Sequence, residues 1–352
     1  MTIACLADTA SHQSDILFGV RVAPAAVRIV PVARGTRGIY RVHTDGCPSV
    51  ILKCRSFETP AEREKVEIET SHEYDVLSAV WTSMGEHGAG KHEVPRPLLA
   101  LPESGLLFMT QSRGEPLARV LRRWVIGLHS LEDVSQRLRQ CGEWLRTFSH
   151  LTPRIAWPAV APQAAAVLGQ GRVRHHVYKL IGLSSADLTT TIVSGATARL
   201  TAWKVDADFI RRIEGAFSRQ FKDFGGSRDA QVAVHGKFSP ADVLMQEHVV
   251  SAVDLEQAGK GSVYLDPAYF LYQVYMTARW RIVGGGRKVV AELRRSFLNG
   301  RSDPAVIDES LLDCFIAYYM CNSLRPGGGL AGMTARSSAH RWIEGWLARA
   351  GS

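Results

Sequence analysis

His235-Gly236-Lys237-Phe238-Ser239-Pro240-Ala241-Asp242-Val243-Leu244, followed by Ser251-Ala252-Val253-Asp254-Leu255-Glu256, is the stretch on which the reading of this chain turns. It reads as a strand, a loop, a short second strand and an acidic turn. Asp242 and Asp254 stand at the mouths of the two strands, an arrangement suited to gripping a divalent metal beside phosphates. Asp254 ends the apolar run Val249-Val250-Ser251-Ala252-Val253. A charged group just past a buried strand needs a partner, and Mg2+ is the natural one, with a structural hydrogen bond as the alternative.

Upstream of this stretch the signals are first β and then α. Val27 to Val30, Gly38 to Val42 and Val50 to Lys53 read as strands, the last two joined by Thr44-Asp45-Gly46, where Asp-Gly tolerates positive φ. Glu62 to Trp81 is helical, with Val66, Tyr74, Leu77 and Val80 as its apolar stripe. Val94 to Leu99 and Leu106 to Met109 are two further strands. After Gly114 the chain turns helical: Leu117 to Leu128, Leu131 to His150, Phe209 to Phe224, Tyr269 to Val283, Val289 to Leu298 and Ala339 to Ala348. The hairpin from His235 to Asp254 interrupts that helical half.

The chain of 352 residues is 46% hydrophobic and 22% charged, an ordinary globular composition with material for a sizeable core. Met1 to Val20 has neither a basic start nor an apolar run, so no signal peptide is expected, and no stretch approaches a membrane span. Six scattered cysteines with no C-x-x-C pair read as reduced thiols and place the protein in the cytoplasm. A net charge of +8 attracts polyanions in general, but the arginines are spread along helices such as Leu117 to Leu128. A solvated helical face explains them better than a nucleic-acid groove. Adjacent His175 and His176 diverge in direction on a helix or strand and read as a surface pair rather than a metal site.

Three further features belong with the central stretch. Lys53 lies in the apolar strand Val50-Ile51-Leu52-Lys53-Cys54, and facing a cleft it can pair with the phosphates of ATP; facing water it would do nothing. Glu73 lies on the following helix, which also carries Glu62, Glu64, Glu67 and Glu69, so a solvated acidic face competes with a role in orienting Lys53. Arg34-Gly35-Thr36-Arg37-Gly38 joins two strands, and its glycines allow close backbone approach to phosphates, although hairpin loops also favour glycine.

Taken in order, Lys53, Glu73, His235-Gly236, Asp254 and Asp266 resemble the aminoglycoside phosphotransferase and choline kinase superfamily. That family writes His-Gly-Asp, four residues, Asn, and about a dozen residues later an Asp on the next strand. Here Lys237 stands in place of the catalytic Asp, and Asp242 in place of the Asn. The resemblance spans roughly Val27 to Leu271. It implies an α+β, two-lobed protein kinase-like fold, with a β-rich N-lobe over 1–110 and a mainly α-helical C-lobe over 111–352. It further implies ATP and Mg2+ as cofactors, with Gly35, Gly38, Lys53 and Glu73 on the nucleotide. Met109 and Gln111 stand at the hinge, Asp242 and Asp254 on the metal, and His235, Lys237 and Asp242 in the catalytic loop. Asp266 would brace that loop and cap the following helix.

Three functions follow. The first is ATP-dependent phosphorylation of a hydroxyl on a small molecule or peptide, with a lysine where the base should be. A lysine beside ATP phosphates is held cationic and cannot take a proton unless its pKa falls by several units. The second is an inactive nucleotide-binding scaffold or regulator, a pseudokinase. The third, adenylyl transfer, needs an inverted nucleotide for which no residue argues. From Ser262 onward arginines outnumber carboxylates, so the acceptor is not expected to be a polycationic aminoglycoside. No nucleic acid or membrane partner is expected.

Overall fold

Lys53 stands in the central strand of a five-stranded antiparallel sheet. The strands are β1 (Arg28–Pro31), β2 (Ile39–His43), β3 (Val50–Cys54), β5 (Pro97–Leu101) and β6 (Leu106–Thr110), in the order β1-β2-β3-β6-β5. A two-residue strand, β4 (His92–Glu93), precedes β5. The computed structural model describes residues 2–32, 38–87, 90–151, 155, 157, 180–222, 224, 229–301, 307–327 and 329–351. The chain divides into two compact units: Met1–Arg113 with Arg154–Arg174 and Ser251–Gln257, and Gly114–Pro153 with His175–Val250 and Ala258–Ser352.

In the first unit β2 and β3 pair as expected across Asp45-Gly46, and Gly46 takes φ +80°. Gly38 is needed for close approach as well as for its φ of +80°: a Cβ there would lie 2.2 Å from the Cys54 carbonyl oxygen. Its own carbonyl accepts the Cys54 N–H at 2.6 Å, which locks β2 onto β3. Val42, Val50, Leu52, Leu106 and Phe108 form a buried core. Two helices that no sequence signal announced, α1 (Ile3–His12) and α2 (Ser14–Phe18), add Leu6, Ala10 and Leu17 to it. Helix α3 (Pro60–His87) begins at a reciprocal cap, in which Thr59 Oγ1 accepts the Glu62 N–H at 3.2 Å and Glu62 Oε2 accepts the Thr59 N–H at 3.1 Å. Pro60 at the first helical position supplies the right φ and loses no bond.

The second unit holds α4 (Leu117–Val125), α5 (Leu131–Ser149), α6 (Ser185–Ala202), α7 (Ala207–Gln220), α8 (Leu265–Arg301), α9 (Glu309–Cys321) and α10 (Gly329–Ala350). Helix α8 is one element, where the sequence suggested two, Tyr269 to Val283 and Val289 to Leu298, and the gap between them holds Gly284, Gly285 and Gly286. Glycine costs about 1 kcal/mol per residue in a helix but, unlike proline, neither clashes nor removes a donor, so the helix runs on. Helices α5 and α8 cross closely at glycines: a Cβ on Gly142 would lie 2.1 Å from Phe297 O, and one on Gly300 would lie 1.8 Å from Arg139 O. β7 (Glu115–Pro116) pairs with β9 (Val243–Gln246), and β8 (Gln231–Val234) pairs with β11 (Gly259–Ser262). The loop His235 to Asp242 therefore leaves one strand pair and enters another. The run Val249–Ala252 forms β10.

Candidate functional site

Strand alternation decides where Lys53 points. Val50 and Leu52 enter the core, so Lys53, and Arg55 two residues on, emerge on the opposite side of the strand. There Lys53 Nζ meets Glu73 Oε1 at 3.0 Å, Asp254 Oδ1 at 2.7 Å and Glu256 Oε2 at 2.9 Å. Arg55 binds Glu73 and Glu256 as well, the latter at 3.2 Å, and approaches Glu69 at 3.8 Å. Glu73 is only 1% exposed because it shares the inward face of α3 with Val66, Thr70, Leu77 and Val80. A carboxylate buried that deeply is tolerated because two cations hold it. Burial alone would lower the Lys53 pKa, but Glu73, Asp254 and Glu256 together outweigh it and hold the ammonium well above the ordinary lysine range. Burial opposes ionisation of Glu256, yet the pull of Lys53 leaves its pKa below the usual carboxylate value.

Asp254 takes φ +69°, a left-handed conformation that aspartate adopts more readily than most residues, at a cost of order 1 kcal/mol. The ion pair with Lys53 helps to sustain it. One carboxylate oxygen from each of Glu73, Asp254 and Glu256 lies within 4.8 Å of the others. With Glu69 these four carboxylates face Lys53, Arg55 and Lys65, the last 3.8 Å from Glu69, leaving one more negative than positive charge. A hard oxygen cluster with excess negative charge fits Mg2+, provided that Lys53 yields Asp254.

The second unit holds the remaining loop residues. His235 is fully buried, its ring among those of Trp144, Phe148 and Phe238 at centroid distances of 6.3, 6.5 and 5.7 Å. That setting makes it a packing residue of the loop. Asp266, at the start of α8, accepts the His235 N–H at 2.6 Å and the Gly236 N–H at 3.0 Å and so fixes the loop's entry. Burial pushes the Asp266 carboxyl up to about 6, against the pull of those two bonds. Ser239 Oγ donates to Asp242 Oδ2 at 2.6 Å, orienting that carboxylate just before β9. Lys237 is half-buried. It lies close enough to Tyr269 for its charge to oppose the burial that raises the Tyr269 hydroxyl to about 12, while Asp242 acts on the same hydroxyl in the other direction.

The residues singled out from the sequence thus fall into two groups: Lys53, Glu73 and Asp254 in the first unit, and His235, Lys237, Asp242 and Asp266 in the second. Met109 is the penultimate residue of β6, paired with Ile51, and Gln111 follows that strand. Gly38 lies at the entry of β2, whereas Gly35 and His175-His176 lie outside the described residues. Arg55 and Glu256 were not singled out. The signal was present: each stands two residues after a chosen one, and on β3 that spacing returns to the same face.

No model of a protein family matches the sequence, and no curated protein matches it. Solved structures share its fold. The macrolide 2′-phosphotransferase MphH from Brachybacterium faecium is 14% identical, with a TM-score of 0.54 over 96% of this chain and 98% of its own. The amicoumacin kinase hAmiN, solved with AMP-PNP, Ca2+ and Ami, is 13% identical, with a TM-score of 0.52 over 96% and 93%. A choline kinase from Cryptosporidium parvum Iowa II is 10% identical, with a TM-score of 0.54 over 97% and 95%.

Proposed function

We propose that this chain, which has the protein kinase-like fold of the macrolide phosphotransferase and choline kinase structures, is an ATP-dependent phosphotransferase. Its acceptor is a hydroxyl of a small molecule or peptide. The observation that carries the reading is Lys53, a strand lysine held at 3.0 Å by a buried helix carboxylate, Glu73, with Asp254 at 2.7 Å on the same ammonium. That trio is the equipment for gripping nucleotide phosphates and a divalent cation. A lysine pre-set by a helix carboxylate pairs with the α- and β-phosphates, and an aspartate after a strand offers a hard oxygen to the metal. Gly35 and Gly38 would border the phosphates, and Met109 and Gln111 the base. Asp254 and Asp242 are the candidate oxygen donors to Mg2+, which neutralises phosphate charge when bound.

In the transfer, the bond from the γ-phosphorus to the bridging oxygen breaks and one to the acceptor oxygen forms. ADP leaves and the acceptor hydroxyl loses its proton. Lys237 cannot take that proton while cationic, but it can neutralise charge on the γ-phosphate. Asp242, oriented by Ser239, or a phosphate oxygen of the substrate takes the proton instead. General-base catalysis contributes about 10²–10⁴-fold, so the reaction is slowed rather than lost when the usual base is missing. His235 and Asp266 hold the loop.

A second reading, a nucleotide-binding protein without transfer activity, is favoured by Lys237 itself, which places a cation where a proton acceptor belongs. The test for the first reading is Asp254→Ala. It should abolish magnesium-dependent ATP binding in calorimetry and ADP release in a coupled assay, with the thermal transition kept as a check on folding. Unchanged binding would remove Asp254 from the site and the proposal with it.

A further inference from the structure

We propose that the second unit carries a binding site for an organic anion with an apolar, aromatic-sized body, set between α8, α9 and α10. A cavity of about 700 Å³ opens there, within the range of roughly 300–1,000 Å³ that small-molecule sites occupy. One wall is aromatic: Trp342 and Trp346 stand one turn apart on α10, and Tyr275 faces the cavity from α8. The charged part of the lining is net basic, with Arg279, Arg294, Arg341 and Arg349 against the carboxylates Glu309 and Asp313.

Those two carboxylates are already engaged. Arg294 binds Asp313 and also Glu309, the latter at 3.1 Å, and Arg349 Nη2 binds Asp313 Oδ2 at 3.1 Å. Arg341, at the exposed rim, makes no ion pair with any described residue. The Tyr275 hydroxyl is buried beside Arg294, which can donate to it and so leaves the hydroxyl proton for a ligand oxygen. Excess guanidinium charge, a buried hydroxyl and paired indoles select one chemistry: a carboxylate, sulfonate or phosphate head with a flat apolar body.

The cavity also lies in line with the catalytic loop. Tyr269, which feels the charges of Lys237 and Asp242, and Met276, which lines the cavity, share a face of α8. They lie seven positions apart along the helix, about 10 Å. The same anion could therefore be the acceptor or an effector. Binding itself does not rest on phosphoryl transfer.

The experiment titrates the full chain with fluorescent hydroxynaphthoate, neutral naphthol and cationic naphthylmethylamine, and in parallel with ATP. Hydroxynaphthoate should bind one saturable site, naphthol about tenfold more weakly, and the amine not at all. Arg341→Gln, at an exposed position, and Trp342→Ala should each weaken hydroxynaphthoate binding by about tenfold or more, with ATP binding unchanged. Phosphorylation of the probe in the presence of ATP and Mg2+ would make the site the acceptor's. Saturable binding without phosphorylation would make it an effector's, and either result upholds it. No saturable binding, or binding unmoved by both substitutions, overturns the site. Loss of ATP binding alone would count against phosphoryl transfer and leave the anion site standing.

Discussion

The two lysines of the candidate machinery, Lys53 in the first unit and Lys237 in the second, live in opposite surroundings. Three carboxylates touch Lys53 and a second cation, Arg55, shares two of them. Its charge is over-determined. Lys237 is half-buried beside a tyrosine, on a loop whose one acidic neighbour in sequence, Asp242, already accepts a hydrogen bond from Ser239. The first setting is what phosphate binding asks of a lysine, a pre-positioned cation. The second removes a proton acceptor and supplies charge in its place. Nucleotide binding and proton transfer are separable parts of phosphoryl transfer, and the proposed function gives Lys53 the first and denies Lys237 the second.

The comparison can be broken most directly at Lys53. Lys53→Met removes the cation that Glu73, Asp254 and Glu256 share, leaving Arg55 on Glu73 and Glu256, and breaking a buried ion pair by removing one partner costs about 3–5 kcal/mol. Chemical denaturation should show that loss. Added Mg2+ or Ca2+ should then restore part of it, because the three carboxylates within 4.8 Å become a cation site. No rescue by either ion would count against the cluster as a place for metal.

Acid titration sharpens the contrast between the units, because the carboxyls of Asp266 and Glu256 shift in opposite directions. The Asp266 carboxyl, raised from 3.8 to about 6 in the fold, is favoured neutral. Its contribution is complete below the unfolded value and disappears as pH rises through about 6, a change of up to about 3 kcal/mol. The stability difference between wild type and Asp266→Asn should therefore shift against wild type between pH 4 and pH 6, at about 1.4 kcal/mol per unit of raised pKa. Glu256, with its pKa depressed by Lys53, contributes above the ordinary glutamate range and loses that contribution as pH falls through its folded value. Glu256→Gln should cost about 1–2 kcal/mol at neutral pH and nothing in acid. A neutral-pH cost that persists in acid would mean that packing, not charge, explains Glu256. The smallest effect belongs to Lys237→Asp, about 1 kcal/mol or less in stability, which leaves catalysis free to be read separately.

The elements that carry Lys53 and Glu73 were legible in the sequence, because apolar runs and helical spacing mark β3 and α3. The sequence leaves open which way those two side chains face, between a cleft and water for Lys53 and between a role on Lys53 and a solvated acidic face for Glu73. What was missed was missed for physical reasons. Arg55 follows the end of β3, and Glu256 follows an acid already chosen, so neither stood out until the ion pairs brought them together. Helices α1 and α2 are short, with apolar residues too few to mark a stripe. Helix α6 is rich in serine, threonine and β-branched residues, which argue against helix locally, and packing of Leu188, Ile192, Ala196 and Leu200 overrides them. The gap expected between Val283 and Val289 is helical in the fold because the glycines within it only weaken a helix. The burial of His235 could not be read at all, since its aromatic neighbours Trp144 and Phe148 come from α5, far away in sequence.

The proposed function, in which Lys53 grips nucleotide and Lys237 supplies charge instead of taking a proton, is tested most directly by calorimetric titration of ATP, with and without Mg2+, into the wild type and Lys237→Asp. The account predicts magnesium-dependent binding by the wild type, and binding of the same stoichiometry after the substitution. Binding that appears only once Lys237 has become aspartate would contradict it, because the lysine would then be blocking the site rather than serving it.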